Sequence, residues 1–261
     1  MEVTLMSTAG GINEKYKDQY FNQNEVDFYK TLDDYLKSEI RPMYKFYDFA
    51  HDTNHFDEVY ETAKKLADAD VFMGKLTNYD MYAVMIAAAY HDTGLLGRNN
   101  REDHEIYSKN FLNRDMDLLH LFLNEAPFIL KPDINLIYKK AKIAIINHRT
   151  SKDASCEIDQ ILKDADSVSL LDINRTLSRI CDYYMMHQYT EKETADKIVR
   201  DRLRYLNTKI YYKMRTKFVS NAAIEINLKP NWKPEDVTYS MMLDSVKLSI
   251  AKYDAYKYMN G

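Results

Sequence analysis

The chain has 261 residues, enough to bury one sizeable core without division into two domains. Its net charge is −4, with 40 acidic and 36 basic residues interspersed, which leaves no basic footprint for nucleic acid. Two cysteines, Cys156 and Cys181, are too few for a disulfide framework or a cysteine-built zinc site.

Six glycines and five prolines are few for this length, so long helices with short connections are expected. No apolar signal segment opens the chain, and no apolar run reaches membrane-spanning length. With the cysteine count, this predicts a soluble cytoplasmic protein with no membrane partner. The 22 tyrosines suit half-buried helical surfaces, where the ring packs and the hydroxyl stays wet.

Residues 1–22 lack periodicity and read as a loose lead-in to a helical domain over 23–215. From Val26 to Tyr47 apolar residues recur at helical spacing, with Pro42 starting or kinking a turn. Val59, Ala63 and Leu66 share one face of a helix over about 54–70, and Gly74 and Asn78 mark the turn after it. Residues 79–91 are the most apolar helix, with Gly94 placed to end it. A polar loop holding Arg98 and Arg101 precedes a helix over about 104–112. Pro132 opens another, to about 148, and Ser155 caps one over about 157–170. Residues 173–186 are helical, and Thr190 and Glu193 form a capping box for a helix through about 215. Residues 216–261 read as an irregular connection and a last helix from about 234, packed on the same domain. The one mild strand signal is 222–228. The expected fold is all-α, a single-domain bundle.

His91 and Asp92 close the apolar run Ala83–Tyr90. An imidazole and a carboxylate at the end of a buried helix are costly unless paired, and a divalent metal suits both. Further candidate ligands lie at the ends of other helical stretches. His55 lies upstream, and His104, His148, Asp164 and Asp166 lie downstream. Asp164 and Asp166 would point about 200° apart on a helix, so one site does not easily take both. His120 and His187 fit none of these stretches.

In order and spacing, His51-x3-His55-x3-Val59, His91-Asp92-Thr93-Gly94, His104-Glu105, Ile145-x2-His148 and Ala165-Asp166 resemble the HD-domain superfamily of metal-dependent phosphohydrolases. The likeness covers about residues 45–205 and follows the branch that binds two metals. It implies an all-α metal-site bundle and hydrolysis of a phosphate ester in a nucleotide or another small phosphorylated metabolite. The implied metal ligands are His55, His91, Asp92, His104, His148 and Asp166, holding one or two divalent ions (Mn, Fe, Mg or Zn). Asp92 would bridge the two ions and, with His51, serve catalysis. Asp164 would support a ligand histidine. Arg98, Arg101, Arg149 and Lys163 would meet phosphate, and Glu105 would meet substrate or steady His104. The lysine frequent after His-Asp-x-Gly is Leu95 here. Leu95 and Leu96 stand where the stringent-response hydrolases carry Glu-Asp, which argues against guanosine tetraphosphate as substrate. The same ligands would also serve a non-catalytic metal or nucleotide sensor, or an HD-type diiron oxygenase.

Overall fold

A computed structural model describes residues 23–47, 50–96, 102–125, 131–149, 151–207 and 218–260. The proposed lead-in, together with Arg98 and Arg101, lies outside them. The fold is all-α and single-domain, with no strand among the described residues. In chain order the helices are α1 Gln23–Tyr35, α2 Thr53–Phe72, α3 Asn78–Tyr90, α4 His104–Arg114, α5 Met116–Glu125 and α6 Lys131–Asn147. They continue with α7 Glu157–Asp166, α8 Ile173–His187, α9 Ala195–Tyr205, α10 Asn221–Glu225 and α11 Tyr239–Asn260. None is long and apolar enough to cross a membrane.

The centre of the molecule is α3. Every residue from Asp80 to Tyr90 is buried, as expected of a helix that is apolar all round. It starts on a capping box in which Thr77 and Asp80 satisfy each other's backbone N–H groups. It packs between α2, α6 and α7. Asp52 caps α2 by accepting the Asn54 and His55 N–H groups, and Gly74, at φ 68°, lets the chain turn at its far end. Pro42 lies in the first turn of a 3₁₀ segment, Arg41–Phe46, that continues α1 through one π turn.

Several local expectations are corrected. α3 ends at Tyr90, and Gly94 lies beyond it in a 3₁₀ turn, Thr93–Leu95, without a left-handed backbone. The glycine is needed there for close approach. A Cβ would meet the His104 carbonyl oxygen at 2.0 Å and the Ser108 nitrogen at 2.6 Å. Ser155 does not cap α7; its N–H and hydroxyl both bind Asp159, inside that helix. The Thr190–Glu193 box closes a turn instead of a helix, and α9 starts later, capped by Thr194. Residues 222–228 include most of α10 and no strand, and Pro234–Asp236 is a separate 3₁₀ turn before α11. Alternation over a few residues was overridden by packing, because Ala222 and Ala223 fit against α2 and α7.

Two apolar clusters form. The larger joins α1 to α7 with α10. The smaller is built by α8, α9, α11 and Trp232. The later helices thus have a core of their own instead of simply covering the first. Met185 and Met242 are buried in that second cluster, where the flexible thioether fills irregular space. Within the second cluster the Trp232 indole N–H donates to the Leu170 carbonyl. Between the two clusters, Arg175 on α8 pairs with Glu58 on α2.

Asp70, on α2, is fully buried, and neither carboxylate oxygen has a hydrogen-bond partner among the described residues. Burial first, and the nearby Glu157 carboxylate second, push its pKa up to about 7. The folded chain therefore holds this proton more tightly than the unfolded chain, whose aspartate titrates near about 3.9. The resulting stability is present below that value and is lost as pH rises through about 7. Asp70→Asn keeps the shape and removes the titration. It is expected to raise stability at pH 8 by up to about 4 kcal/mol, with the gain shrinking as pH falls through about 7 and vanishing only below about pH 4. Urea melts of both proteins across that range check it.

Candidate metal centre

The candidate ligands come from helix ends that converge beside α3. His55 lies in the first turn of α2, His91 and Asp92 just follow α3, and His104 opens α4. His148 follows α6, and Asp166 is the last residue of α7. Helix ends release the backbone from the regular 100° advance, so the neighbours His91 and Asp92 can face one centre. Tyr44 fixes that release. Its hydroxyl donates to the Ala89 carbonyl at 3.1 Å and accepts the Asp92 N–H at 3.3 Å.

His91 and His148 are oriented by the same device. Each Nδ1–H donates to the carbonyl three residues earlier, Ala88 at 2.8 Å and Ile145 at 2.6 Å. A ring that also keeps Nε2 unprotonated, as metal binding requires, presents that lone pair to the centre. The two carboxylate oxygens of Asp92 divide the histidines between them. Oδ2 stands 3.2 Å from His91 Nε2 and 3.5 Å from His55 Nε2. Oδ1 stands 3.3 Å from His104 Nε2 and 3.6 Å from His148 Nε2. Within the pairs, His55 and His91 Nε2 are 3.4 Å apart, and His104 and His148 Nε2 are 3.0 Å apart.

These spacings fit a metal. Two donors about 2.1 Å from one cation lie about 3.0 Å apart at a right angle and about 3.4 Å apart at the tetrahedral angle. Two groups, His55–His91–Asp92 and Asp92–His104–His148, have donor atoms all within 4.8 Å of one another and share Asp92. A buried His/Asp cluster able to hold metal is thus present. Burial opposes ionisation of Asp92, but the surrounding histidines, His91 foremost and then His104, His148 and His55, hold its carboxyl well below the usual range when they are protonated.

No family model, no curated protein and no solved structure matches this chain. The geometry of the cluster therefore carries the functional argument.

Asp166 Oδ1 stands 3.3 Å from His55 Nε2, outside both close groups. Burial is again outweighed, here by the His55 hydrogen bond and the Arg179 charge, and the carboxyl is held well below its usual range. Asp164 turns away, as the helical angle requires. It accepts from the Val219 and Ser220 N–H groups and the Ser220 hydroxyl, so it anchors the start of α10 and supports no histidine. His51 is buried beside His55, with ring centroids 5.4 Å apart.

The expected phosphate contacts divide differently. Lys163 donates to the Arg149 and Lys152 carbonyls and ties that loop to α7 instead of facing the centre. The buried Glu105 carboxylate pairs with Lys152 at 3.1 Å and with Arg149 at 3.4 Å. Its distance to His104 Nδ1 is 3.7 Å, too long to fix that ring by a hydrogen bond. Glu105 thus holds two cations beside His104, and an anion so placed is ill-suited to meet phosphate itself.

Sequence reasoning missed Tyr44 and Arg179. Arg179 Nη2 lies 3.3 Å from His55 Nε2 and 3.5 Å from Asp166 Oδ1. A faint signal existed. Arg175 and Arg179 are four apart and so share one helical face.

Proposed function

We propose that this chain is an HD-type, metal-dependent phosphohydrolase that cleaves a phosphate ester of a nucleotide or another small phosphorylated metabolite. The observation carrying this reading is the division of Asp92, one oxygen toward each histidine pair. A carboxylate shared in this way is suited to bridging two cations. His55 and His91 would hold one ion, with Asp166 at its edge, and His104 and His148 the other. Imidazole donors favour Fe, Zn or Mn over Mg. The bound ions would supply positive charge at the phosphoryl oxygens and acidify a water. Arg149 and Lys152, held by Glu105, bring positive charge to the His104 side. His51 is the proposed proton donor to the leaving group.

The test is a hydrolysis panel of mononucleotides, cyclic nucleotides, dinucleotides and sugar phosphates, run on protein loaded with each metal in turn. Metal-dependent turnover of one class is expected. Stoichiometric metal with no turnover across the panel would overturn the reading in favour of a sensor. Oxygen consumption by the iron form would overturn it in favour of an oxygenase.

A further inference from the structure

Arg179 lies at the edge of the metal cluster with half of its guanidinium tied down. Nη1 donates to the Ser169 hydroxyl at 2.6 Å and to the Asp166 carbonyl at 3.2 Å. These bonds fix the plane of the group. Nη2 is then aimed at the cluster, 3.3 Å from His55 Nε2 and 3.5 Å from the nearest carboxylate oxygen, Asp166 Oδ1. The side chain remains about a quarter open to solvent, at 24 % exposure.

This is a poor arrangement for a purely structural arginine. A guanidinium satisfied by a carboxylate takes two parallel bonds at about 2.8 Å, as Arg41 does with Asp57 at 2.7 and 2.6 Å. Arg179 makes no such pair with Asp166. Its other neighbour, His55 Nε2, is a proposed metal donor. A divalent cation on that nitrogen would repel a guanidinium held this close unless an anion stood between them. At 3.3 Å the contact leaves no room for an anion as it stands, so Nη2 would swing outward from His55 while Nη1 keeps its bonds. A phosphoryl group then suits the place, because one oxygen can face the cation while another accepts the guanidinium N–H donors.

We propose that Arg179 binds a phosphoryl oxygen of the substrate on the His55–Asp166 side of the cluster. This rests on the phosphohydrolase reading. It places the phosphate opposite the Glu105–Arg149–Lys152 group and makes the Arg179 side the approach for substrate.

The experiment is calorimetric titration of wild-type, Arg179→Gln and Arg179→Lys proteins, first with Mn²⁺ alone and then with inorganic phosphate on the loaded proteins. Arg179→Gln removes a cation beside His55, so Mn²⁺ should bind at least as tightly as to wild type. Phosphate should bind roughly 30-fold more weakly, the loss expected for one charged hydrogen-bonding partner. Arg179→Lys keeps charge without the fork and should fall between the two. Weakening of metal and phosphate together in Arg179→Gln would make Arg179 a scaffold residue and overturn the proposal. Unchanged phosphate affinity would overturn it as well, while leaving the phosphohydrolase reading intact. Loaded wild-type protein that neither binds phosphate nor turns over any ester would overturn both.

Discussion

Replacing Asp92 with alanine is expected to abolish phosphoester hydrolysis and to empty the cluster of metal. The Asp92 carboxylate is the anion between four histidine nitrogens, and each of its oxygens faces one pair. Without it the two groups lose both their common member and their negative charge. Several kcal/mol of charge stabilisation disappear, so turnover should fall by at least about 1000-fold. Elemental analysis should fall from up to two transition-metal ions per chain toward none. The helices should survive, because Asp92 lies past the end of α3 and the apolar cluster around that helix is untouched. Far-UV circular dichroism of the variant should therefore match wild type. Full activity in a metal-checked Asp92→Ala preparation would sink the proposed chemistry.

Gly94→Ala should also act strongly, though no side chain is lost. The added methyl would be driven into the backbone at the start of α4, 2.0 Å from the His104 carbonyl oxygen and 2.6 Å from the Ser108 nitrogen. It would also crowd the Ser108 hydroxyl, which accepts the Gly94 N–H at 2.8 Å. Backbone atoms cannot step aside as a flexible side chain can, so α4 must shift. Overpacking of this kind costs about 3 kcal/mol. His104 moves with α4, so the pair it makes with His148 should open. The expected result is a lower melting temperature and a metal stoichiometry reduced from two to one, with the His55–His91–Asp92 group retained. Unchanged stability and full metal content would show that α4 is not fixed by this contact.

The candidate metal ligands were legible because each stands at the end of a helical stretch. His91 and Asp92 stand out for this reason, and His55, His104, His148 and Asp166 repeat the pattern. Periodicity is a local property, so it also gave most of the helices, within a few residues at most ends, although α5 was not anticipated and α10 carried a strand signal. The helical angle set Asp164 and Asp166 apart, since two residues on a helix point apart, but the family resemblance and not the angle favoured Asp166. Partners distant in sequence were a different matter. Arg179 meets His55 across 124 positions, and Asp164 meets Ser220 across 56. No periodicity reports such pairings. Gly94 was read as a helix stop, because only the approach of α4 reveals what a Cβ would strike. The mild strand signal at 222–228 gave way to a short helix for the same kind of reason, its two alanines being chosen by the surface of α2 and α7. By itself, then, the sequence determined most of the helices and which polar side chains sit at their ends. The tertiary structure decided which of those ends meet, and how one carboxylate is shared between two histidine pairs, because that depends on packing between segments far apart in the chain.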